Sequence, residues 1–366
     1  MSQQKPQPPL VFIVGGTGAQ GTPIITSLVK DGAYSVRFLT RDARSRRSQD
    51  LLSLPNVQAL EGTFADEDTL REGFRGAAHA YVNIDGFNAG EKTEIFWAMR
   101  AYELAREEGV QFFVYGNLDY AYKKSGYDAR FRCGHYDGKG RVGEWILQQN
   151  RDQDQMGAAL FTTGPYISMA LGAATPMSPS VEDGVVTWRV PLGQEGAVAH
   201  VDLDDCGYYV RWLFDNQARA NGMDLEVAID LVSYHDLAAA FEAVTGHPAR
   251  YIDTSLDEYW AHGPLGSGSR PAGYNADEGD AATMSLRTNF TGFWNLWKHS
   301  GGNAGVVRRN FELLDEIHPG RIKSAEEWFR REEQRSRELG SPGLWEQANN
   351  LRPVLKIAED GRKGRL

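Results

Sequence analysis

The segment His135-Tyr136-Asp137-Gly138-Lys139 gathers three side chains able to move or polarise a proton. With a helix starting near Asp137, Lys139 falls in the first turn, where the peptide dipoles disfavour a cation. That placement makes sense if a polar or anionic ligand faces the ammonium. The lysine would then hydrogen-bond the ligand or, with its pKa lowered, protonate a carbonyl oxygen. Tyr136, three residues earlier and just ahead of that first turn, is a second candidate proton donor. His135 could act as acid or base near neutrality, or simply donate a hydrogen bond at the helix cap. Cys133 reads either as a redox-sensitive thiol or as a quiet structural one. Asn117 follows the apolar run Gln111–Tyr115 and Gly116; it can orient a carbonyl but cannot serve as an acid. Lys139, Asn117 and Tyr136 are therefore the catalytic candidates. His200 with Asp202, Asp204 and Asp205 has metal-ligand types, but its spacing fits a helix N-cap, and no metal site is expected.

Something must hold a reactant beside these groups, and residues Leu10–Gly21, L-V-F-I-V-G-G-T-G-A-Q-G, supply it. An apolar strand runs into a glycine turn, and Thr22–Leu28 continues as a helix. In the spacing Gly15-x-x-Gly18-x-x-Gly21, Gly15 makes the tight turn and Gly18 clears the path of a pyrophosphate. Gly21 lets the helix pack close, and the helix N-terminus offers unpaired N–H groups to the anion. The second strand, Ser35–Leu39, ends in Thr40-Arg41-Asp42, about 20 residues past the last glycine, where a dinucleotide site meets the adenosine ribose. A carboxylate there would favour NAD. Arg41, with Arg44, Arg46 and Arg47 behind it, favours the 2′-phosphate of NADP. Asp42 then points into the loop or caps the next helix.

These residues need a scaffold, and the rest of the chain supplies one. It has 366 residues, 41% hydrophobic and 24% charged, which suits a soluble globular protein with a substantial core. A net charge of −10 argues against direct binding to nucleic acid or an anionic membrane surface. Two cysteines, no apolar leader and no long apolar run point to a reducing compartment, the cytoplasm with the nucleus as alternative. Strand and helix patterns alternate through the first half, at Val57–Leu60, Asp66–Gly73, His79–Ile84, Glu91–Glu108, Gln111–Tyr115, Asp137–Gln148 and Ala158–Thr162, with a loop over Asn117–Gly134. The second half is mixed. Gly184–Pro191, Leu225–Ile229 and Arg250–Asp253 read as strands, Asp202–Phe214, Tyr234–Thr245, Phe290–Trp297 and Ser324–Glu338 as helices, and Leu265–Asp280 as a mobile loop. The pattern predicts an α/β fold: a Rossmann-type doubly wound parallel sheet over residues 8–170. A smaller α+β substrate or partner domain, interleaved with that sheet, follows over 171–340, and then a polar tail over 341–366.

The glycine turn, Thr40-Arg41-Asp42, Val114-Tyr115-Gly116-Asn117-Leu118 and His135-Tyr136-Asp137-Gly138-Lys139-Gly140 together resemble the NmrA-like family of atypical short-chain dehydrogenase/reductases. The stretch from Asp315-Glu316-Ile317-His318-Pro319 to Trp328 is similar to fungal members. The resemblance implies NADP contacts at Gly15, Gly16, Thr17, Gly18, Ala19, Gln20 and Gly21. Arg41 and Arg44 would take the 2′-phosphate, and Thr63 and Phe64 would lie beside the adenine. Asn83 and Ile84 would follow, then Lys139 near the nicotinamide, with Tyr166 and Ile167 after the sixth strand. Two departures stand out. A short-chain dehydrogenase spaces its tyrosine and lysine four apart and adds a serine after the fifth strand; here the spacing is three and Gly116-Asn117 replace the serine. Some relatives also carry a second lysine where this chain has Phe96, with Lys92 one turn earlier, and relatives often have phenylalanine at the position of Tyr136. The family contains reductases of carbonyls, quinones and enones, and also non-catalytic NADP(H) sensors that bind transcription factors or enzymes. Lys139 and Asn117 lean the reading to a small-molecule reductase; the sensor, with a regulatory protein as partner, is the alternative.

Overall fold

Strands whose side chains are apolar on both faces need helices on both faces, and the chain provides them. The computed structural model describes residues 7–151, 154–276 and 279–354. In it β1 (Leu10–Val14), β2 (Ser35–Thr40), β3 (Val57–Glu61), β4 (His79–Val82), β5 (Phe112–Leu118) and β6 (Gly157–Thr163) form one sheet in the order 3-2-1-4-5-6. A seventh strand, Asp224–Glu226, arrives from the second half of the chain and pairs with β6; every pairing is parallel. Side chains alternate across β1: Val11 and Ile13 enter one core, Phe12 and Val14 the other. The first core is covered by α1 (Gly21–Val29) and the helix Leu203–Asp215. The second lies under α3 (Glu67–Phe74), α5 (Glu91–Glu107) and α7 (Gly134–Arg151), with α2 (Arg46–Leu52) at the sheet edge beside β3. Strand order reverses between β1 and β4, so a crevice opens at their carboxyl ends.

A third core belongs to the second half and holds Trp188, Trp294, Trp297 and Phe329, all fully buried. Its sheet joins Val185–Val190 to Ser180–Glu182 and Ala249–Asp253. A sealed link fastens this half to the first. Arg309 reaches both oxygens of Asp119 at 3.0 and 2.7 Å. Burial alone would raise the Asp119 pKa, but the charges of Arg309 and Lys124 overcome it and hold the carboxyl well below the usual range. Asp202, which caps the helix Leu203–Asp215, also accepts from Trp328 Nε1 at 3.1 Å and from Arg331.

Several boundaries differ from those the sequence predicts. Helix α7 starts at Gly134, not Asp137, because the Asp137 carboxylate folds back to accept the Cys133 N–H at 2.9 Å and to pair with Arg132. Tyr136 thus lies in the first turn and Lys139 in the second. The loop after β5 contains α6 (Ala121–Lys124) and a short 3₁₀ turn, Ala129–Phe131. The strand expected at Leu225–Ile229 splits: Asp224–Glu226 joins the main sheet, while Asp230–Val232 pairs with Val198–His200. The polar tail begins with a docked helix, Leu344–Asn349, that buries Leu344 and Ala348; residues 355–366 lie outside the described residues. Among the described residues no helix is long and apolar enough to cross a membrane.

Candidate functional site

The crevice holds a cavity of about 790 Å³ that starts at the glycine turn and runs over the ends of β4, β5 and β6 into the second half. Gly15 has φ +87°, and a Cβ there would lie 2.5 Å from the Asn83 carbonyl oxygen. A Cβ on Gly21 would lie 2.3 Å from the Gly15 carbonyl oxygen, so this glycine sets how closely α1 meets the turn. Gly18 is different: beyond the Gly15 oxygen at 3.1 Å nothing confronts its missing side chain, and it faces the cavity. No side chain caps α1; Thr22 N–H donates to Gly18 O at 3.2 Å and Pro23 has no N–H, so it is the backbone just ahead of Thr22 that can meet a ligand. Thr17, Ala19 and Gln20 complete this wall. Gln20 is also a brace, accepting from Tyr81 and from Asn83 Nδ2 (2.8 Å) and donating to Thr163 at 3.3 Å. Gly16 faces away from the cavity, against Phe38 and Ile25 of the first core.

At the end of β2, Arg41 lines the cavity with Thr40, Thr63 and Phe64. Asp42 turns into the loop, where its Oδ1 accepts the Arg44 N–H at 2.9 Å. No carboxylate from this turn therefore lines the cavity. Arg44 is exposed and does not line it either. Tyr274 lines the cavity with Arg41 from a strap of residues 264–285, whose members 277 and 278 lie outside the described residues. The strap falls within the stretch expected to be mobile, yet it is pinned. Tyr274 N–H donates to Phe87 O at 2.9 Å and Asn275 N–H to Asn88 O at 3.1 Å, both partners in α4 (Gly86–Ala89).

In the middle of the cavity Lys139 is only 8% exposed. Its Nζ donates to Asn83 Oδ1 (2.9 Å), Ile84 O (2.8 Å) and Gly116 O (3.3 Å), and pairs with Glu94 Oε1 at 2.7 Å. Three N–H donors thus face four acceptors, and the ammonium cannot release a proton without breaking one of these contacts. Burial pushes the Glu94 carboxyl up, against the pull of Lys139. Asn117 lines the cavity near the end of β5, but its amide is engaged within the fold. Its amide donates to Thr162 at 2.8 Å, and a Cβ on Gly143 would come within 2.9 Å of its oxygen, so the group occupies the seam between β5, β6 and α7.

The far end is an aromatic chamber walled by Phe87, Met169, Leu265, Leu286, Phe290 and Phe293, with His135, Tyr136 and Tyr166 contributing polar atoms. Burial drives the Tyr136 hydroxyl well above its ordinary pKa and raises that of Tyr166. Burial, aided by the Lys139 charge, lowers His135 to about 4 against the hydrogen bond it makes to Asn289 Oδ1. Ile167 does not reach the cavity; its side chain joins the core of the second half. Phe96 is 57% exposed and Lys92 pairs with Asp280 at the surface, so neither lines the cavity.

A model of the NmrA-like family matches residues 8–262. The chain belongs to the NmrA-like family. Similar relatives include an NmrA-like family domain-containing oxidoreductase of Aspergillus hancockii, 27% identical over 66% of this chain and 74% of that protein. Another, from Aspergillus japonicus, is 27% identical over 67% of this chain and 76% of its own length. Among solved structures the fold is shared with NmrA, a negative transcriptional regulator crystallised with NADP (TM-score 0.68, 17% identity, 92% of this chain and 99% of that one). It is shared also with an NADPH-dependent quinone oxidoreductase from Escherichia coli (TM-score 0.63, 18% identity, 87% and 98% covered).

In this NmrA-like chain the sequence reading missed Glu94, the strap residue Tyr274 and Asn289, which holds His135. Glu94 sits in the acidic first turn of α5 beside Glu91, where a carboxylate looks solvated. Nothing near it in sequence marks the buried ammonium it meets.

Proposed function

We propose that the chain binds NADP(H) in this cavity and acts as an oxidoreductase on a small carbonyl, quinone or enone. One observation carries the reading: a single cavity joins a bare-backbone glycine turn to an aromatic chamber. NADPH, when bound, supplies a hydride. Gly18 and the N-terminus of α1 fit the pyrophosphate, and Arg41, with the neighbouring Asp42 turned away into its loop, fits the 2′-phosphate. Lys139 fixes the Ile84 and Gly116 carbonyls and keeps a positive charge at the middle of the site. The proton must come from elsewhere; the Tyr136 and Tyr166 hydroxyls line the cavity, and burial, by raising their pKa, limits them to a strongly basic acceptor such as a forming alkoxide. The aromatic chamber excludes water from the reacting atoms.

The commitment of Lys139 to four acceptors is the observation that favours a non-catalytic redox sensor acting on a regulatory protein. Titrations with NADPH, NADP⁺ and NADH, followed by the loss of NADPH absorbance with quinones, enones and aldehydes, separate the two. Turnover that falls in Tyr136→Phe or Tyr166→Phe supports the reductase. Binding that distinguishes redox forms without turnover supports the sensor. Failure to bind any of the three dinucleotides overturns both.

A further inference from the structure

We propose that the aromatic chamber selects an apolar, ring-bearing ligand carrying an O–H or N–H donor, such as a phenol, and that His135 Nε2 is the acceptor that reads it. The inference rests on the chamber being the substrate end of the cavity.

The argument begins at Asn289, which is fully buried. Its Oδ1 lies 3.3 Å from the His135 backbone N–H and 3.0 Å from His135 Nδ1, while its Nδ2 has no partner. Turning the amide over would set Nδ2 against the backbone N–H, donor to donor, so the oxygen must face His135. An oxygen at that distance from Nδ1 requires Nδ1 to carry the ring proton. The Cys133 thiol points a further donor at the same oxygen, 3.9 Å away. His135 is thus held as the tautomer whose Nε2 bears a lone pair. It stays neutral well below pH 6.5, because burial moves its pKa to about 4.

Nε2 has no partner among the described residues, and the ring lines the cavity. Around it stand Phe87 at 4.7 Å, Phe290 at 5.4 Å and Phe293 at 6.2 Å between ring centroids, the last nearly parallel to the imidazole. An apolar ligand filling this chamber without a donor would bury Nε2 unpaired. A ligand with one would satisfy it, and sites of this kind reject analogues that lack the group.

The test uses the full chain saturated with NADP⁺ and two probes of nearly equal shape, 2-naphthol and 2-methoxynaphthalene, titrated calorimetrically. 2-Naphthol is expected to bind at least about tenfold more tightly, with the ratio unchanged between about pH 6 and 8. In His135→Phe, checked for folding by thermal unfolding, the ratio should fall to about one through loss of 2-naphthol affinity alone. Equal affinities in the wild type, no binding of either probe, or a ratio that survives in His135→Phe would each overturn the inference. Discrimination between the probes without turnover on any redox substrate would leave the inference standing and remove the reductase reading. Turnover with no discrimination would do the reverse.

Discussion

The two ends of the cavity are built by different means. At the glycine end the wall is main chain: Gly15, Gly18 and Gly21 bring backbone against backbone, and the tolerances are set by carbonyl oxygens that cannot rotate away. At the aromatic end the wall is side chain, drawn from α7 in one half and from the strap and the helix Leu286–Lys298 in the other. Backbone walls recognise what every dinucleotide shares, an anion of fixed shape. Side-chain walls can be re-cut residue by residue without disturbing that recognition. The Lys139–Glu94 pair sits at the joint and belongs to neither, since it binds the ends of β4 and β5 together through carbonyl oxygens.

That contrast can be broken experimentally, and the joint should give most. Glu94→Leu would leave the Lys139 ammonium buried without its counter-ion and should cost about 3–5 kcal/mol of stability by denaturant unfolding. A small loss would mean that the pair is dispensable and the ends are independent. Gly21→Ala should cost about 3 kcal/mol, seen as weakened NADPH binding and a lower Tm, because both clashing partners are backbone. An alanine of the same size at Gly18 should keep the fold and lose only the dinucleotide.

The chamber makes a pH prediction. The His135 pKa falls from 6.5 to about 4 on folding, chiefly through burial. Its contribution is therefore complete above pH 6.5 and disappears as the pH drops from there toward 4, where the unfolded chain alone takes up the proton. Denaturant midpoints should decline over that window by up to roughly 3 kcal/mol from this residue, and His135→Phe should flatten the slope. His200, also lowered to about 4 by burial, would retain its own share. Arg41→Ala should weaken NADPH by about 10- to 100-fold while leaving NADH within about twofold, since the charge-assisted contact to the 2′-phosphate is what distinguishes the two dinucleotides at this residue. Arg44→Ala, exposed and away from the cavity, should change either affinity by less than about twofold.

The same contrast explains what was legible in the sequence. Backbone recognition is local: three glycines, a strand and a helix sit within twenty residues, and Arg41 follows at the end of the next strand. Fold class was legible for the same reason, through the alternation of apolar runs and helical patterns. The roles given to Gly15, Gly18 and Gly21 need only neighbouring residues, whereas Gly16 owes its place to Phe38 on another strand. Asn117 was misjudged because its orientation is set by Thr162 and Gly143, which no spacing within the Asn117 segment reveals. The start of α7 was misplaced because Asp137 looks like a cap but folds back onto Cys133. The character of His135 is decided by Asn289, 154 positions away. Side-chain sites are written in long-range pairs, and a single sequence carries no mark of which pairs will meet.

The strap also bears on kinship. The family model that matches this chain ends at residue 262, and the strap begins two residues later. Tyr274, Leu286, Phe290 and Phe293 all lie beyond that limit. A match to the family model therefore covers the floor of the cavity, with its glycine turn and Lys139, and by itself says nothing of the ceiling. Two members of this family can therefore agree at every position of the floor and still admit different guests.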